Sequence, residues 1–486
     1  MIDPRTPVLV GVGQLTVRDG EPLEPLGLME AAARAAGQDA GAPALLEKLQ
    51  SVAVVDAISQ PLGDPGALLA ERLGSQPAET VRSGLGGNGP QALVNDLCTR
   101  IARDGLDVAL IAGAEAMATL TRLMKRGEQP PWPQSDGCLA SRVIDDGRDG
   151  SSDAENAAGL IAPIFLYPVF EHALRGAAGR TREEHLRAIS ELWAHFSGVA
   201  AGNPHAWSRE ARTADELATA SDGNRRVSDP YLKLHNSHIG VDQGAALLLC
   251  SAEAADAAGV PREEWVFPWA GAQAHDHWFA TERDELHRSP AIRLAGEAVL
   301  DGVTSLDHVD LYSCFPSAVQ IAARELGLGL DRPLTVTGGL TFAGGPGNNY
   351  ATHGIAALAG RLRAEPEAVG LSTALGWYAT KHALGVYSCR APERPFAAHD
   401  VQDAVDALPS REVAAGYSGE AAVESYTALY ERDGRPGMGI VVARLADGRR
   451  TAVKSHDADA LSELVDGEDP LGRTVRVTAP EGIAFT

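Results

Sequence analysis

The chain has 486 residues, a length typical of about three domains, and 44% of them are hydrophobic, which is enough for buried cores. Its 42 basic and 65 acidic residues give a formal charge of -23, which excludes general attraction to nucleic acid or to anionic membranes. Five cysteines without a Cys-x-x-Cys pair predict neither a disulfide framework nor a structural zinc site.

Short apolar runs alternate with alanine-rich stretches from the N-terminus onward. PVLVGVGQ and SVAVVDAIS predict strands, whereas EPLGLMEAAARAAGQ and DPGALLAERLG predict helices. This order is typical of an α/β fold with a buried, mostly parallel sheet. No apolar run reaches the roughly 18 residues of a membrane helix, and the opening MIDPRTP lacks a signal-peptide pattern. We therefore expect a cytoplasmic protein.

One unit of this α/β plan occurs twice. Residues 81–117 and residues 341–378 each read as a glycine-rich turn, a helix and a strand. In the first copy, Pro90 stands where the first turn of a helix accepts proline. The similar spacing of the glycines in the two copies predicts an internal duplication.

Two segments differ from the repeated plan. Residues 120–230 read as an insertion with a long helix, and insertions of this kind commonly carry substrate contacts. Beyond residue 395, apolar residues alternate at period two around two Asp-Gly hairpin signals, which predicts a small antiparallel β-barrel resembling an oligonucleotide-binding fold. The predicted domains are residues 1–230, 231–395 and 396–486.

Four motifs in order along the chain resemble the thiolase superfamily, and most of all its sterol-carrier-type thiolases and thiolase-like relatives: GAEAM, VDQGAALLLCSAEAADAAG, CFPSAVQIAARELGL and GGLTFAGGPG. The resemblance covers about residues 5 to 390. It implies two duplicated α/β halves in a layered αβαβα sandwich, with a crevice between them that binds acyl-coenzyme A. Because members of the family condense or cleave 3-ketoacyl thioesters, it also implies a coenzyme A thioester as substrate or ligand, and no bound cofactor.

Three family positions depart from the thiolase pattern. The acylated cysteine of the family lies at a helix N-terminus, where the helix dipole lowers its pKa, and Gly86 matches that position. The Gly-His-Pro signature becomes Gly344-Gly345-Pro346, and the Cys-x-Gly signature becomes Ala374-Leu375-Gly376. We therefore expect that covalent thiolysis does not occur at these positions.

A fourth family position keeps its thiol. Where sterol-carrier-type thiolases have His-Asp-Cys-Phe, this sequence has Tyr312-Ser313-Cys314-Phe315. With a tyrosine at this position, the chain resembles the thiolase-fold aldolases. These enzymes lack the nucleophile and split 3-hydroxyacyl-CoA thioesters, and they pair with a partner protein that has a fold of the oligonucleotide-binding type. Such a retro-aldol cleavage needs a base, an acid and donors for the thioester oxygen. Packing roles for the tyrosines are the alternative, and the predicted catalytic residues are Tyr312, Cys314, Tyr350 and His353.

The glycine-rich turns predict the ligand contacts. Backbone N–H groups at a helix N-terminus bind anions and thioester oxygens, while Asn348 and Asn349 either add amide donors or satisfy the turn itself. Three basic residues precede the strand at GAALLLC in a loop that the family uses for coenzyme A, although a solvated loop is equally consistent with them. The predicted contacts of the thioester and of coenzyme A are Gly86, Asn88, Gly345, Asn348, Arg225, Arg226 and Lys233.

Other kinds of site are not favoured. The histidines at 235–238 and 275–287 match no usual zinc spacing, so no metal is predicted, and no Gly-x-Gly-x-x-Gly opens a helix as in dinucleotide sites. The expected partner is an acyl-CoA ligand rather than nucleic acid or a membrane, and the resemblance also admits a homodimer. Two alternatives to carbon–carbon bond chemistry stay open: a catalytically inactive acyl-CoA or lipid carrier, and a weak acyltransferase that uses Cys314.

Overall fold

The computed structural model describes residues 2–19, 21–133, 137–144 and 147–485. The strands in these ranges are β1 (Pro7–Thr16), β2 (Ser51–Val54), β3 (Glu79–Ser83), β4 (Val108–Ala116), β5 (Arg142–Ile144), β6 (Arg226–Ser228), β7 (Tyr231–Leu232), β8 (Asp242–Ser251), β9 (Phe267–His275), β10 (His308–Asp310), β11 (Val369–Gly376), β12 (Lys381–Ser388), β13 (Ala397–Asp400), β14 (Gly419–Tyr430), β15 (Pro436–Arg444), β16 (Arg450–Ser455), β17 (Thr474–Val477) and β18 (Ile483–Phe485).

The α-helices in the same ranges are α1 (Pro25–Asp39), α2 (Pro65–Leu73), α3 (Gly89–Arg103), α4 (Met117–Lys125), α5 (Asp153–Ala157), α6 (Pro163–Ala177), α7 (Arg182–Gly202), α8 (Ala214–Ala218), α9 (Ala252–Ala257), α10 (Pro290–Val299), α11 (Pro316–Glu325), α12 (Gly339–Phe342), α13 (Tyr350–Ala364), α14 (Gln402–Asp406) and α15 (Ala458–Asp466). Short 3₁₀ turns add Pro43–Glu47, Lys233–His235, Arg262–Glu264, Ala280–Glu282 and Gly347–Asn349.

Local sequence signals explain several of these boundaries. Proline occupies the first turn of α1, α2 and α3, where its missing N–H leaves no hydrogen bond unmade. The long helix α7 begins with a capping box in which Thr181 and Glu184 each accept a hydrogen bond from the other's backbone N–H. Gly434 and Gly448 take positive φ values in the turns between β14, β15 and β16, so both predicted Asp-Gly hairpins are present.

Two sheets and the helices around them form five layers. The first sheet has the order β1-β8-β4-β2-β3-β5 and the second has the order β10-β11-β12-β9-β13. Helices α3 and α13, one from each repeated unit, contact strands of both sheets and lie between them, while α1 packs on the outer face of the first sheet and α10 on that of the second. All residues of β4 and β8 are buried, as expected for strands covered on both faces. The layered αβαβα arrangement is therefore present.

The C-terminal strands form a third, antiparallel sheet in the order β16-β15-β14-β17-β18. Its two edges meet where the N–H of Gly482 donates to the carbonyl oxygen of Lys454 at 3.0 Å. Contacts of this kind do not confirm a closed barrel, which stays a prediction. Strand β6, from the predicted insertion, pairs with β14, so the insertion contributes a strand to this sheet.

The three predicted domains share buried clusters and sheet pairings across their boundaries. Ile440 and Val442 of β15 pack in the same buried cluster as Phe170 of α6 and Tyr231 of β7. Strand β8 pairs with β1 and β4 of the first sheet, although it follows residue 230 in the chain. The domain boundaries at 230 and 395 stay a prediction. Within the described ranges, no helix combines the length and the apolar character that crossing a membrane requires.

Candidate functional site

The turn that leads from β3 into α3 holds the first candidate group. Gly86 in this turn has a φ of 136°, a conformation that residues with a side chain rarely adopt. Its N–H donates to Asn348 Oδ1 at 3.0 Å. The turns that open α3 and α13 are thus hydrogen-bonded to each other, and the two repeated units meet at this point.

Protein atoms fill the space above Gly86. A Cβ atom at this residue would lie 2.5 Å from Asn88 Oδ1 and 3.2 Å from both Gly376 Cα and Lys381 Cε. Lys381 Nζ donates to the carbonyl oxygen of Leu85 at 2.6 Å, which brings an ammonium group to the N-terminus of α3. A side chain at position 86, a cysteine included, would need both a strained backbone and displaced neighbours.

Tyr312 follows β10 and reaches the same turn from the second half. A Cβ on Gly87 would overlap the Tyr312 hydroxyl and lie 2.7 Å from the carbonyl oxygen of Leu375, so this hydroxyl lies against the Gly87 backbone. The Tyr312 side chain is 7% exposed, and burial, followed by the nearby Cys314, raises its pKa. Tyr312 therefore keeps its proton near neutral pH and can act as a hydrogen-bond donor or an acid.

The Cys314 thiol lies beside Tyr312 at the start of α11. Burial raises the pKa of this thiol to about 12, although its hydrogen-bonding contact with the Tyr167 hydroxyl acts in the opposite direction. The thiolate is the nucleophilic form of cysteine, so Cys314 as it stands is a proton donor and a poor nucleophile. Tyr167 comes from α6 in the insertion, and nothing in the local sequence around it predicted this contact.

Tyr167 also holds the strained turn between β11 and β12. Its hydroxyl donates to the carbonyl oxygen of Trp377 and accepts from the N–H of Ala379, both at 3.0 Å. Trp377 and Ala379 have φ values of 55° and 52°, which is unusual for residues other than glycine. Strain of this kind persists where the surrounding contacts hold the backbone in place. The strained turn leads into Lys381, the first residue of β12, which lies beside Gly86.

Tyr350 lies at the start of α13 and is fully buried. Its ring packs edge-on against the ring of Tyr312, with centroids 5.5 Å apart. Its hydroxyl lies 2.6 Å from Thr337 Oγ1, and Thr337 in turn lies 3.4 Å from Asp310 Oδ1. Burial raises the pKa of the Asp310 carboxyl to about 6, although several hydrogen bonds favour its ionised form. Asp310 was not predicted from the sequence, because an aspartate at the end of a strand is not distinctive there.

His353 lies one turn further along α13 and points toward the first half of the chain. Its Nδ1 lies 3.0 Å from Gln14 Oε1. Burial, followed by the proximity of His205, lowers the pKa of His353 to about 3. The imidazole is therefore neutral at physiological pH and a weak base.

The two asparagines of the glycine-rich turn bind backbone groups of the protein. Asn348 Nδ2 donates to the carbonyl oxygen of Asp56 at 2.9 Å, and Asn349 Nδ2 donates to that of Gly113 at 2.6 Å. Gly345 donates its N–H to the carbonyl oxygen of His238 at 3.0 Å. Both asparagine side chains therefore link this turn to backbone groups of the first half of the chain.

The three predicted basic residues lie together around the β6–β7 hairpin, where the N–H of Lys233 donates to the carbonyl oxygen of Arg225 at 2.8 Å. Arg225 and Lys233 are exposed. Burial is the main cause that lowers the pKa of His238, and the nearby charge of Lys233 lowers it further. Arg226 lies over the ring of Tyr430 in the C-terminal sheet, 5.4 Å from its centroid. Among the residues that the structure describes, no group of three or more His, Cys, Asp or Glu side chains is arranged to hold a metal ion.

Comparisons with known proteins agree with this architecture. The profile of the thiolase-like protein type 1 additional C-terminal domain matches residues 400–482. A monomeric SCP2-thiolase-like protein type 1 from Mycobacterium smegmatis is 33% identical over 100% of both chains, with a TM-score of 0.86. A search of the curated proteins finds no match.

More distant structures share the fold of the two halves. An Ltp2–ChsH2 (DUF35) aldolase is 19% identical and covers 80% of this chain and 99% of its own, with a TM-score of 0.60. The dimeric peroxisomal thiolase of Saccharomyces cerevisiae is 14% identical over 80% of this chain and 98% of its own, with a TM-score of 0.56. The predicted superfamily and fold are confirmed: this chain belongs to the thiolase superfamily, among the SCP2-thiolase-like proteins of type 1 with an additional C-terminal domain.

Proposed function

We propose that this protein binds an acyl-CoA thioester and cleaves or forms a carbon–carbon bond in it by aldol chemistry, without a covalent acyl-enzyme. One observation carries the proposal. At the helix N-terminus where a thiolase would place its acylated thiol, Gly86 has a strained backbone and no room for a side chain, while the Tyr312 hydroxyl lies against Gly87. In place of the nucleophilic thiol of a thiolase, the site thus has a proton donor, the Tyr312 hydroxyl.

The retro-aldol direction assigns a role to each group. A base removes the proton of the 3-hydroxyl, the bond between C2 and C3 breaks, and its electron pair forms a thioester enolate that takes a proton at C2. Backbone N–H groups at the start of α3, together with the Lys381 ammonium, stabilise the developing negative charge on the thioester oxygen. Tyr312 and Cys314 keep their protons near neutral pH and serve as the acid.

The base is the less obvious member of this set. Tyr312, Tyr350 and Cys314 all have raised pKa values, so none of them is deprotonated near neutral pH and ready to accept a proton. The Asp310 carboxyl, with a pKa near 6, is the acceptor best matched to neutral pH. It connects to Tyr350 through the Thr337 hydroxyl, so a proton can pass along these hydroxyls.

Burial supports a second proposal of a different class. Tyr312 and Cys314 are 7% and 9% exposed, and Asn88 and Lys381 occupy the space above Gly86. A protein that keeps the crevice for an acyl-CoA or a lipid without turning it over fits the same contacts. The raised pKa of Cys314 argues against the third alternative, an acyltransferase that uses this thiol.

Turnover of defined thioesters distinguishes these proposals. We would incubate the protein with panels of 3-hydroxyacyl-CoA and 3-ketoacyl-CoA esters and follow aldehyde or ketone release by mass spectrometry. Aldol chemistry predicts cleavage of hydroxyacyl esters that falls 100-fold or more in Tyr312→Phe, the lower range for a lost acid. Tyr417 is a half-buried tyrosine of the C-terminal unit that donates to the carbonyl oxygen of Glu420, and Tyr417→Phe is the matched control, which retains activity. Tight binding without turnover of any ester would favour the carrier.

Coenzyme A contacts and assembly stay proposals. We propose that Arg225 and Lys233, both exposed, bind coenzyme A phosphates, whereas Arg226 contributes mainly by its contact with Tyr430. The Mycobacterium smegmatis relative is monomeric and the yeast thiolase is dimeric, so the homodimer is one of two assemblies. Sedimentation of the purified protein decides between them.

A further inference from the structure

A small cavity lies behind the glycine-rich turn. His353, Gln243, Gly344 and Tyr350 are among its lining residues, and its volume is about 10 Å³. Two of its polar atoms, Gln243 Oε1 and His353 Nε2, are buried and have no hydrogen-bond partner among the described residues. Buried polar atoms are nearly always hydrogen-bonded, so these two atoms indicate a ligand of their own.

The orientation of the Gln243 amide follows from its other contacts. Its Nε2 donates to the carbonyl oxygens of Ala343 at 2.9 Å and His205 at 3.1 Å. Because carbonyl oxygens only accept hydrogen bonds, the amide nitrogen must face them and the amide oxygen must face the cavity. A Cβ on Gly344 would overlap this oxygen, which locates Oε1 directly beside the turn.

The protonation state of His353 follows from the same reasoning. Its Nδ1 lies 3.0 Å from Gln14 Oε1, an amide oxygen that can only accept, so Nδ1 carries the hydrogen. A neutral imidazole has one N–H, and the low pKa of His353 keeps the ring neutral. Nε2 is therefore an unprotonated acceptor. The other titratable groups that line the cavity are His205 and Tyr350, and both are uncharged near neutral pH because burial lowers the pKa of His205 and raises that of Tyr350.

Two acceptors that face one small cavity require a ligand with two donor hydrogens. We propose that the cavity is a binding site for a single water molecule, which donates one hydrogen to Gln243 Oε1 and the other to His353 Nε2. The volume of about 10 Å³ is about what one water molecule needs. His353 is then a positioning residue for this water rather than the proton-transfer group that its place in the motif predicted.

The water in this site has a defined orientation. With both hydrogens engaged, the water presents only lone pairs, and these face the lining that includes Tyr350. The inference does not depend on the proposed function.

A matched pair of glycine variants tests the water site. In Gly344→Ala, the new Cβ overlaps Gln243 Oε1, and the φ of 113° at this position adds strain. In Gly345→Ala, the nearest atoms to the new Cβ are 3.5 Å away or more, and no positive φ is involved. We expect Gly345→Ala to retain the water and Gly344→Ala to displace it.

Two measurements read the outcome directly. A crystal structure that resolves ordered water should show one peak within hydrogen-bond distance of both Gln243 Oε1 and His353 Nε2 in the wild type and in Gly345→Ala. Nitrogen-15 NMR of histidine-labelled protein should show His353 as the Nδ1–H tautomer, unchanged between pH 8 and pH 5. A cavity without such a peak, an Nε2–H tautomer, or protonation of His353 within this range would each overturn the proposal. If Gly344→Ala does not fold, the wild type and Gly345→Ala still decide.

Discussion

Restoring the thiol of a thiolase by the single change Gly86→Cys is expected to fail, for reasons that the structure quantifies. The φ of 136° is disfavoured for any residue with a Cβ and costs about 1–3 kcal/mol. The Cβ contact of 2.5 Å with Asn88 Oδ1 adds an overpacking cost of about 1–3 kcal/mol. Together these terms predict a loss of about 2–6 kcal/mol in the free energy of unfolding.

Urea unfolding and acylation test this expectation together. The urea midpoint of Gly86→Cys should fall well below that of the wild type, and incubation with acetyl-CoA should leave no acetyl adduct at this residue in the intact mass. Gly105→Cys is the matched control, because its φ of 79° is also positive but no atom of the described residues lies within 4 Å of the new Cβ; we expect it to lose only about 1–2 kcal/mol. A Gly86→Cys protein with wild-type stability and a stable acetyl adduct would refute the reasoning.

Three further expectations concern other parts of the molecule. With a pKa raised to about 12 by burial, Cys314 should resist iodoacetamide at pH 8 in the native protein while the exposed Cys138 reacts, and rapid labelling of Cys314 would revive the acyltransferase alternative. Tyr167→Phe removes the hydrogen-bond partner of two backbone groups in the strained turn, the buried N–H of Ala379 and the part-buried carbonyl of Trp377. It should cost about 1–3 kcal/mol in urea unfolding; an unchanged midpoint would show that the turn does not depend on these hydrogen bonds. Although burial raises it, hydrogen bonds from Arg175 keep the pKa of Asp469 below its usual value. The stability difference between wild type and Asp469→Asn should therefore be full at pH 7, begin to shrink below about pH 4 and disappear below the lowered pKa of Asp469; a difference that does not shrink at all between pH 4 and pH 2 would contradict this.

The large elements could be predicted because their signals are local. The repeated turn, helix and strand became α3 with β4 and α13 with β11. These segments are long, apolar and punctuated by glycine, so they carry their periodicity in the sequence itself. Strands β5 and β6 contain three residues each, too few for any periodic pattern, and only their partners in the fold define them.

The candidate site could be predicted only in part. Motif positions identified Gly86, Tyr312 and Cys314, which the structure brings to the same end of α3 and α11. Lys381 reaches Leu85 across 296 positions of sequence, and Tyr167 reaches the strained turn from the insertion. Contacts of this kind depend on tertiary packing, and neither residue type nor spacing in the sequence predicts them.

The pairing of β6 with β14 has a consequence for how this protein can change over evolution. The insertion and the C-terminal sheet share a strand ladder and a buried cluster that contains Ile440 and Phe170. Recombination that exchanged only the C-terminal segment between distant relatives would join mismatched surfaces inside this cluster. The two segments are therefore expected to be inherited as a unit, and chimaeras should fold when residues 120–230 travel with the segment that follows residue 400.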